Sequence, residues 1–168
     1  FYQLAREQRL DDAPELNTYQ TYVEYEREFR QTETYRQAQT YWHDKLAEPV
    51  EPVDFFGRQV SGKCHYAHRV DRHLGEERTR QLKELAQEED LQLISQDLTL
   101  YTVFLTVLFA CLYRISGQSR LRIGSPFHNR PAAAFKETIG LFIEIGVLEI
   151  DVLPNETFTS LLKKVRNE

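Results

Sequence analysis

The sequence has no methionine, only one tryptophan and only two cysteines among its 168 residues. Cys64 and Cys111 are too few for a disulfide framework, so a reducing, cytoplasmic setting is expected. Because the chain begins at Phe1 and lacks methionine, we expect it to be part of a longer polypeptide. A hydrophobic content of 41% and a charged content of 28% are typical of a soluble domain with one core, in a chain too short for two domains.

Basic segments and long apolar segments are also missing. The formal net charge is -5, from 21 Lys and Arg against 26 Asp and Glu, which argues against a nucleic-acid surface. The N-terminus lacks the basic flank and apolar core of a signal peptide. The longest uncharged run, residues 98–113, is shorter than the roughly 20 apolar residues that span a bilayer. We therefore predict a buried core helix there and no membrane partner.

Aromatic residues at helical spacing predict two helices, or one bent helix, from Asn17 to about Leu46. Asn17 or Thr18 is expected to cap the first turn, since a short polar side chain can accept from its unpaired amides. Pro49 and Pro52 end the helical segment, because proline has no amide donor.

The rest of the chain predicts a mixed α/β unit without internal repeats. Small residues recur along the 98–116 segment at intervals of three and four, which favours helix over strand, and Gly117 is expected to end it. In chain order, the other predicted elements are a weak strand at 63–70, a helix at 76–88, a strand at 120–124, a loop bracketed by Pro126 and Pro131, a strand carrying Leu148, Ile150 and Val152, and a last helix capped by Asn155.

One cluster contains potential metal ligands: Cys64, His65, His68 and His73, with Asp71 nearby. Thiolate and imidazole are the usual zinc ligands. On a strand, however, Cys64 and His68 would face one side and His65 the other. The side chains do not converge, and no metal is expected.

Ser125 lies in the sequence Gly124-Ser125-Pro126, where a strand is predicted to end. A serine nucleophile elbow needs glycine two positions after the serine, and Phe127 stands there. A hydroxyl bonded to local backbone is the favoured interpretation. No Gly-x-x-x-x-Gly-Lys phosphate cradle occurs either, so the residues alone give no complete catalytic constellation.

Several segments nevertheless stand in an order and spacing that resemble one family. They are Tyr113-Arg114-Ile115-Ser116-Gly117-Gln118, then Gly124-Ser125-Pro126 followed by Asn129-Arg130, then Ile139-Gly140-Leu141-Phe142-Ile143. These are similar to the RyTGQ, vGtPvagR and IGxFVNT segments in the later half of the condensation domains of nonribosomal peptide synthetases. Upstream, Tyr19-Gln20-Thr21-Tyr22 and Tyr41-Trp42-His43-Asp44-Lys45-Leu46 resemble the YxDYAxW and YWxxxL helices that follow the family's catalytic half.

The resemblance implies the fold of chloramphenicol acetyltransferase and other CoA-dependent acyltransferases, in which two subdomains flank a tunnel. Residues 1–168 would then be a partial condensation domain, its C-terminal subdomain. Within it, residues 1–50 would form linking aromatic helices, and 51–168 an α/β core with a mixed sheet packed against helices. The parent would join a carrier-bound acyl or peptidyl thioester to a carrier-bound amine, forming an amide.

The family's catalytic HHxxxDG motif lies in the other subdomain, and no two adjacent histidines occur here. We therefore expect no catalytic residue in this chain and no activity from it alone. The implied partners are the N-terminal subdomain of the same parent chain and the donor and acceptor carrier proteins. No cofactor is expected to bind directly, since the substrates would travel on phosphopantetheine arms. The alternatives are a non-catalytic relative that recruits carrier proteins or tailoring enzymes, and a stand-alone CoA-dependent acyltransferase.

The resemblance also nominates residues for the tunnel or for contact with the carrier arm: Ser125, Phe127, Asn129, Arg130 and Glu144. Arg130 has two interpretations, a clamp or carrier-arm contact at the tunnel mouth, or an internal salt bridge. The chain departs from the family pattern at Thr21 and Tyr25, and Glu144-Ile145 replaces the family's Asn-Thr. Glu144 would either bind an amine in the tunnel and alter acceptor choice, or lie in a solvated loop.

Overall fold

The computed structural model describes residues 2–9, 11, 16–53, 68–88 and 91–168. Two compact units are present. The first unit combines Phe1–Pro49 with Ser125–Gly146, and the second combines Val50–Gly124 with Val147–Glu168.

The first unit contains helices α1 (Tyr2–Arg6), α2 (Tyr19–Phe29) and α3 (Glu33–Lys45). The prediction of two helices after residue 17 is confirmed. Thr18 caps α2, because its side chain accepts from the amide of Thr21, and Thr32 caps α3 in the same way. Asn17, the other candidate cap, instead donates its side-chain amide to Ala134 O at 2.9 Å.

The second unit contains α4 (Glu76–Leu85), α5 (Gln96–Ser116) and α6 (Phe158–Asn167). Gly117 ends α5 with a left-handed φ of 71°, a conformation that costs glycine little, as predicted. The predicted cap of the last helix was wrong. Thr157 caps α6 by accepting from the amide of Ser160, while Asn155 lies in the preceding turn.

Helix α5 supplies much of the core of the second unit. The core consists of Leu105, Phe109, Leu112, Leu121, Leu148, Ile150, Val152, Leu161 and Val165. Thr99, Thr102 and Thr106 are also buried, and each hydroxyl donates to the carbonyl four residues earlier, which satisfies it inside the core. By length and composition α5 could also cross a membrane, since it has 21 residues and a stretch of 18 of them has a mean hydropathy of 1.8. One face of α5 packs in the core as predicted, whereas its other face is exposed.

Strands β1 (Arg120–His128) and β2 (Ile143–Asp151) form a two-stranded antiparallel sheet. The amide of Asn129 donates to Phe142 O, and that of Val152 to Ser119 O. These bonds define a register that places Arg122 opposite Glu149 and Phe127 opposite Glu144. The predicted α/β class is confirmed.

Strand β1 is longer than predicted, because it continues past Gly124 through Pro126 to His128. In a two-stranded sheet each strand has an open edge, where a proline without an amide is tolerated. The loop expected between Pro126 and Pro131 therefore begins later. Of the weak strand predicted at 63–70, residues 68–70 have no regular structure, and 63–67 lie outside the described residues.

A cluster of charges lies on one face of this sheet. Glu149 accepts from Arg120 Nε at 2.8 Å and from Arg122 Nε at 2.5 Å, and its side chain is only 13% exposed. Burial raises the pKa of this carboxyl, but the hydrogen bonds and charges of the two arginines outweigh it. The pKa of Glu149 therefore lies below its ordinary value of 4.5.

Candidate functional site

All five nominated residues belong to the first unit. Ser125 and Phe127 lie on β1, Asn129 and Arg130 follow it directly, and Glu144 lies on β2. Two of them, Asn129 and Arg130, contact an aromatic cluster. This cluster has Tyr22, Phe135 and Phe142 at its buried centre and Tyr19 and Tyr25 beside it.

Most ring pairs of this aromatic cluster pack edge-on or tilted, whereas Tyr25 is stacked beside Tyr22. The centroid of Tyr22 lies 4.5 Å from that of Phe142 and 5.4 Å from that of Phe135, whose plane is nearly perpendicular. Such geometry matches the charge distribution of aromatic rings. The cluster thus connects helix α2 to the segment between the two strands.

Asn129 joins the strand end to this cluster. Its amide N–H donates to Phe142 O at 3.1 Å, and its side-chain amide donates to the Tyr22 hydroxyl at 3.2 Å. The residue therefore holds both strands and α2 together, and its side chain is engaged inside the protein.

Arg130 binds backbone carbonyls. Its Nη1 donates to Thr138 O at 2.8 Å and also to Phe135 O, and its guanidinium carbon lies 3.9 Å from the centroid of the Phe142 ring. Among the described residues no carboxylate pairs with Arg130, so the salt-bridge interpretation was wrong. The reason is that two carbonyls and a ring face already fill the guanidinium's surroundings. Its Nε donates to His128 Nε2 at 3.2 Å.

The same segment is attached to the start of α2. Thr138 is 2% exposed, and its hydroxyl donates to Asn17 O at 2.9 Å. With the bond from Asn17 to Ala134, this makes a two-way connection between the chain before α2 and the segment 134–138.

Gly140 permits a close approach of helix α2. A β-carbon at Gly140 would lie 2.1 Å from Cδ2 of Tyr19, so any other residue would displace this ring. The Tyr19 hydroxyl donates to the neighbouring Leu141 O at 2.9 Å. This is a physical reason for glycine in the Ile-Gly-Leu-Phe segment.

Ser125 and Phe127 differ sharply in exposure. Ser125 is 6% exposed and so is not displayed at a turn as a nucleophile elbow requires. Phe127 is 45% exposed, and its ring lies over Gly146, where a β-carbon would come within 2.5 Å of it.

Glu144 is exposed and lies close enough to the aromatic cluster to act on it electrostatically. Burial first, and then the charges of Glu26 and Glu144, raise the pKa of the Tyr22 hydroxyl above its ordinary value. Among the described residues no cation forms an ion pair with Glu144. The register of the sheet places it opposite Phe127, so an exposed carboxylate and an exposed ring occupy neighbouring positions on the two strands.

Only some of the potential metal ligands between Cys64 and His73 lie among the described residues. Cys64 and His65 lie outside the described residues, whereas His68 and His73 are exposed and outside regular structure. Asp71 accepts from Arg69 Nε at 2.8 Å. The described residues contain no group of three or more potential ligands placed to hold a metal ion.

Sequence reasoning missed Tyr19, Tyr22 and Thr138 as parts of this site. The signal for the tyrosines was their spacing of three on one helix, which indicated a packed face but not its partner. Thr138 gave no signal, because its partner is 121 residues away.

Comparison with known proteins places the whole chain in one family. The family profile for the Condensation domain matches residues 1–168. The chain is 29% identical over 150 residues to a plipastatin synthase of Bacillus subtilis (strain 168), a match that covers 88% of this chain and 4% of that protein. It is 30% identical over 162 residues to a linear gramicidin synthase of Brevibacillus parabrevis, a match that covers 93% of this chain and 3% of that protein.

Solved structures show the same fold. The first condensation domain of the calcium-dependent antibiotic synthetase, in complex with a substrate analogue, superposes with a TM-score of 0.78 at 23% identity. The match covers 99% of this chain and 35% of that one. The chain thus spans about a third of the solved domain and a few per cent of the synthetase polypeptides.

Proposed function

Because the chain belongs to the condensation-domain family of nonribosomal peptide synthetases, we propose that its parent domain joins a carrier-bound acyl or peptidyl thioester to a carrier-bound amine. The amine nitrogen attacks the thioester carbonyl, the carbon–sulfur bond breaks, and the proton lost by nitrogen leaves with the carrier thiol. The observation that carries this proposal is the family match over the entire chain.

In this proposal the chain supplies one wall of the substrate tunnel and part of the carrier-docking surface, but not the base. A general base must lie within hydrogen-bond reach of the proton that it removes. The sequence has no adjacent histidine pair, so the base would come from the N-terminal subdomain of the parent chain. The phosphopantetheine arms of the carriers would deliver both substrates, in the cytoplasm.

Arg130 and Asn129 then act as positioning residues. Their bonds to Phe135, Thr138 and Tyr22 hold the segment that leads into β2, and so set the place of Glu144. We assign Glu144 to the acceptor side of the tunnel, where its carboxylate attracts the acceptor amine beside the Phe127 ring. In this proposal Arg130 acts as a structural clamp, and Glu144 binds the acceptor amine.

The function is tested with the intact domain and carriers loaded with donor and acceptor, with product identified by mass spectrometry. We expect an amide-linked product from the intact domain and none from the 168-residue polypeptide. Product from the polypeptide alone would contradict the assignment of the base to the missing subdomain.

Glu144-Ile145 replaces the family's Asn-Thr, and this departure is also consistent with two alternative functions. A non-catalytic relative would give no product from the intact domain, while still binding loaded carriers. A stand-alone acyltransferase would accept acyl-CoA without any carrier. The same product assay detects either outcome, and either one would contradict the proposed function.

Changing Glu144→Gln in the intact domain should raise the KM for the acceptor about 3-fold and leave kcat unchanged, the effect of one exposed charge pair. The measurement is steady-state kinetics with varied acceptor carrier. Glu137→Gln is the matched control, since Glu137 is also exposed and in the same unit. An acceptor KM that does not differ between the two variants would place Glu144 outside the tunnel.

A further inference from the structure

The ring of Phe127 lies across the sheet against a glycine. The register of the two strands makes Glu144 the direct neighbour of Phe127 on β2, and Gly146 its diagonal neighbour on the same face. A β-carbon at Gly146 would lie 2.5 Å from Cε2 and 2.7 Å from Cδ2 of Phe127. The edge of the ring therefore occupies the space that a side chain at position 146 would need.

The backbone does not account for glycine at this position. Among the described residues, the glycines with positive φ are Gly75 and Gly117, so Gly146 has a backbone conformation that is open to other residues. Glycine inside a strand contributes no side chain to packing and often marks a close approach. Here the close approach is that of the Phe127 ring, so this glycine fixes where the ring lies.

The ring lies where one face of the sheet changes from buried to exposed. Ser125, the direct neighbour of Gly146 on β1, is 6% exposed, whereas Phe127 is 45% exposed and Glu144 is exposed. Phe127 thus rests a ring edge on the backbone and presents much of its remaining surface outward. A ring that is already held in place loses little further freedom when a ligand packs on it.

The proposed function places the acceptor amine at Glu144, and the inference rests on that placement. In an α-amino acyl acceptor the nitrogen and the side chain are attached to the same carbon. When the nitrogen lies at the carboxylate, the side chain is close to the position directly across the sheet, which Phe127 occupies. An aromatic ring favours apolar and aromatic contacts at that position.

We propose that the acceptor carries an apolar side chain, which packs on the Phe127 ring, and that Gly146 is the positioning residue of this ring. Phe127 then determines acceptor specificity by direct contact. Gly146 acts only through Phe127, because it has no side chain of its own.

Two other roles of the ring are outcomes of the test. An aromatic side chain beside a strand glycine also shields the backbone, which would stabilise the sheet without any contact with substrate. A ring next to a carboxylate would also suit a cationic acceptor side chain. We favour an apolar side chain because the proposed function already assigns the Glu144 carboxylate to the acceptor amine.

The test measures binding of three probes to the intact domain by isothermal titration calorimetry. The probes are the acceptor carrier with a glycyl, a phenylalanyl or a lysyl group attached through an amide, which keeps the amine free and resists hydrolysis. We expect the phenylalanyl carrier to bind about 10-fold more tightly than the glycyl carrier, and the lysyl carrier to bind less tightly than the phenylalanyl carrier. Phe127→Ala and Gly146→Ala should each reduce the preference for phenylalanyl over glycyl to less than about 3-fold.

A double variant and a distant ring are the controls. In the Phe127→Ala background, Gly146→Ala should not change the preference further, because no ring is left to displace. Phe158→Ala, which removes a 47% exposed ring from α6, should leave the preference as in wild type. Phe127→Ala keeps the glycine and its backbone, so it tests the ring even if Gly146→Ala does not fold.

Equal affinity of wild type for the glycyl and phenylalanyl carriers, or tightest binding of the lysyl carrier, would overturn the proposal. A preference that survives Phe127→Ala would also overturn it and leave the ring as a shield of the strand. A loss of preference on Gly146→Ala in the absence of the ring would contradict the positioning role. Binding is measured without turnover, so a domain that forms no amide but prefers the phenylalanyl carrier would overturn the proposed function alone.

Discussion

Replacing Arg130 with alanine is expected to lower the free energy of unfolding of the intact domain by about 3 kcal/mol. Hydrogen bonds from a charged donor contribute about 1.5–3 kcal/mol, and a partly desolvated cation over a ring adds on the order of 1–2 kcal/mol. Arg130 provides two such bonds, to Phe135 O and Thr138 O, and lies over Phe142. The contributions share one side chain and do not add fully.

The measurement is chemical denaturation of the variant beside Arg27→Ala, which removes an exposed arginine from α2 in the same unit. Arg27→Ala should change stability by less than about 0.5 kcal/mol, as is usual for surface positions. The stability of Arg130→Lys should lie between those of Arg130→Ala and Arg27→Ala. Lysine keeps the positive charge, but its ammonium group cannot reproduce the planar guanidinium over the ring. Equal stability of the Arg130 and Arg27 variants would show that the carbonyl contacts do not hold this segment.

Replacing Glu149 with glutamine should cost about 2 kcal/mol near neutral pH, since breaking a buried ion pair costs more than breaking an exposed one. The change removes the charge between Arg120 and Arg122 while keeping the shape of the side chain. We place the value below that of a fully buried pair because the side chain of Arg120 is 39% exposed. Urea denaturation of the intact domain measures it, with Glu28→Gln on α2 as the exposed control.

The effect should also depend on pH. The pKa of Glu149 is lowered in the folded protein by its two arginines, against the opposing effect of burial. Its stabilising contribution is therefore complete above the ordinary value of 4.5 and is lost as pH falls through the lower, folded value. The stability difference between wild type and Glu149→Gln should shrink progressively from about pH 5 to about pH 2. A difference that stays constant over this range would exclude the ion pair as its source.

The local elements were largely predictable from the sequence. Thr18, Gly117 and the small-residue stripe of α5 marked caps, ends and a packed face through interactions with residues at most four positions away. The segments around Gly117 and Gly140 indicated the family, which the comparison over the whole chain establishes. The prediction of Asn155 as the cap of α6 was wrong because three consecutive polar residues, Asn155, Glu156 and Thr157, could each cap the helix. Thr157 is the one whose hydroxyl accepts from a helix amide.

The candidate site was predictable only as a set of residue numbers. Composition and spacing by themselves predicted an α/β chain with a long core helix, and motif order nominated the segment from Ser125 to Glu144. Only the tertiary structure decided that Arg130 binds carbonyls and a ring instead of a carboxylate, that β1 runs through Pro126, and that α5 has an uncovered face. The physical reason is distance along the chain. Hydrogen bonds such as Asn129 to Tyr22, 107 positions apart, join residues that no local pattern connects.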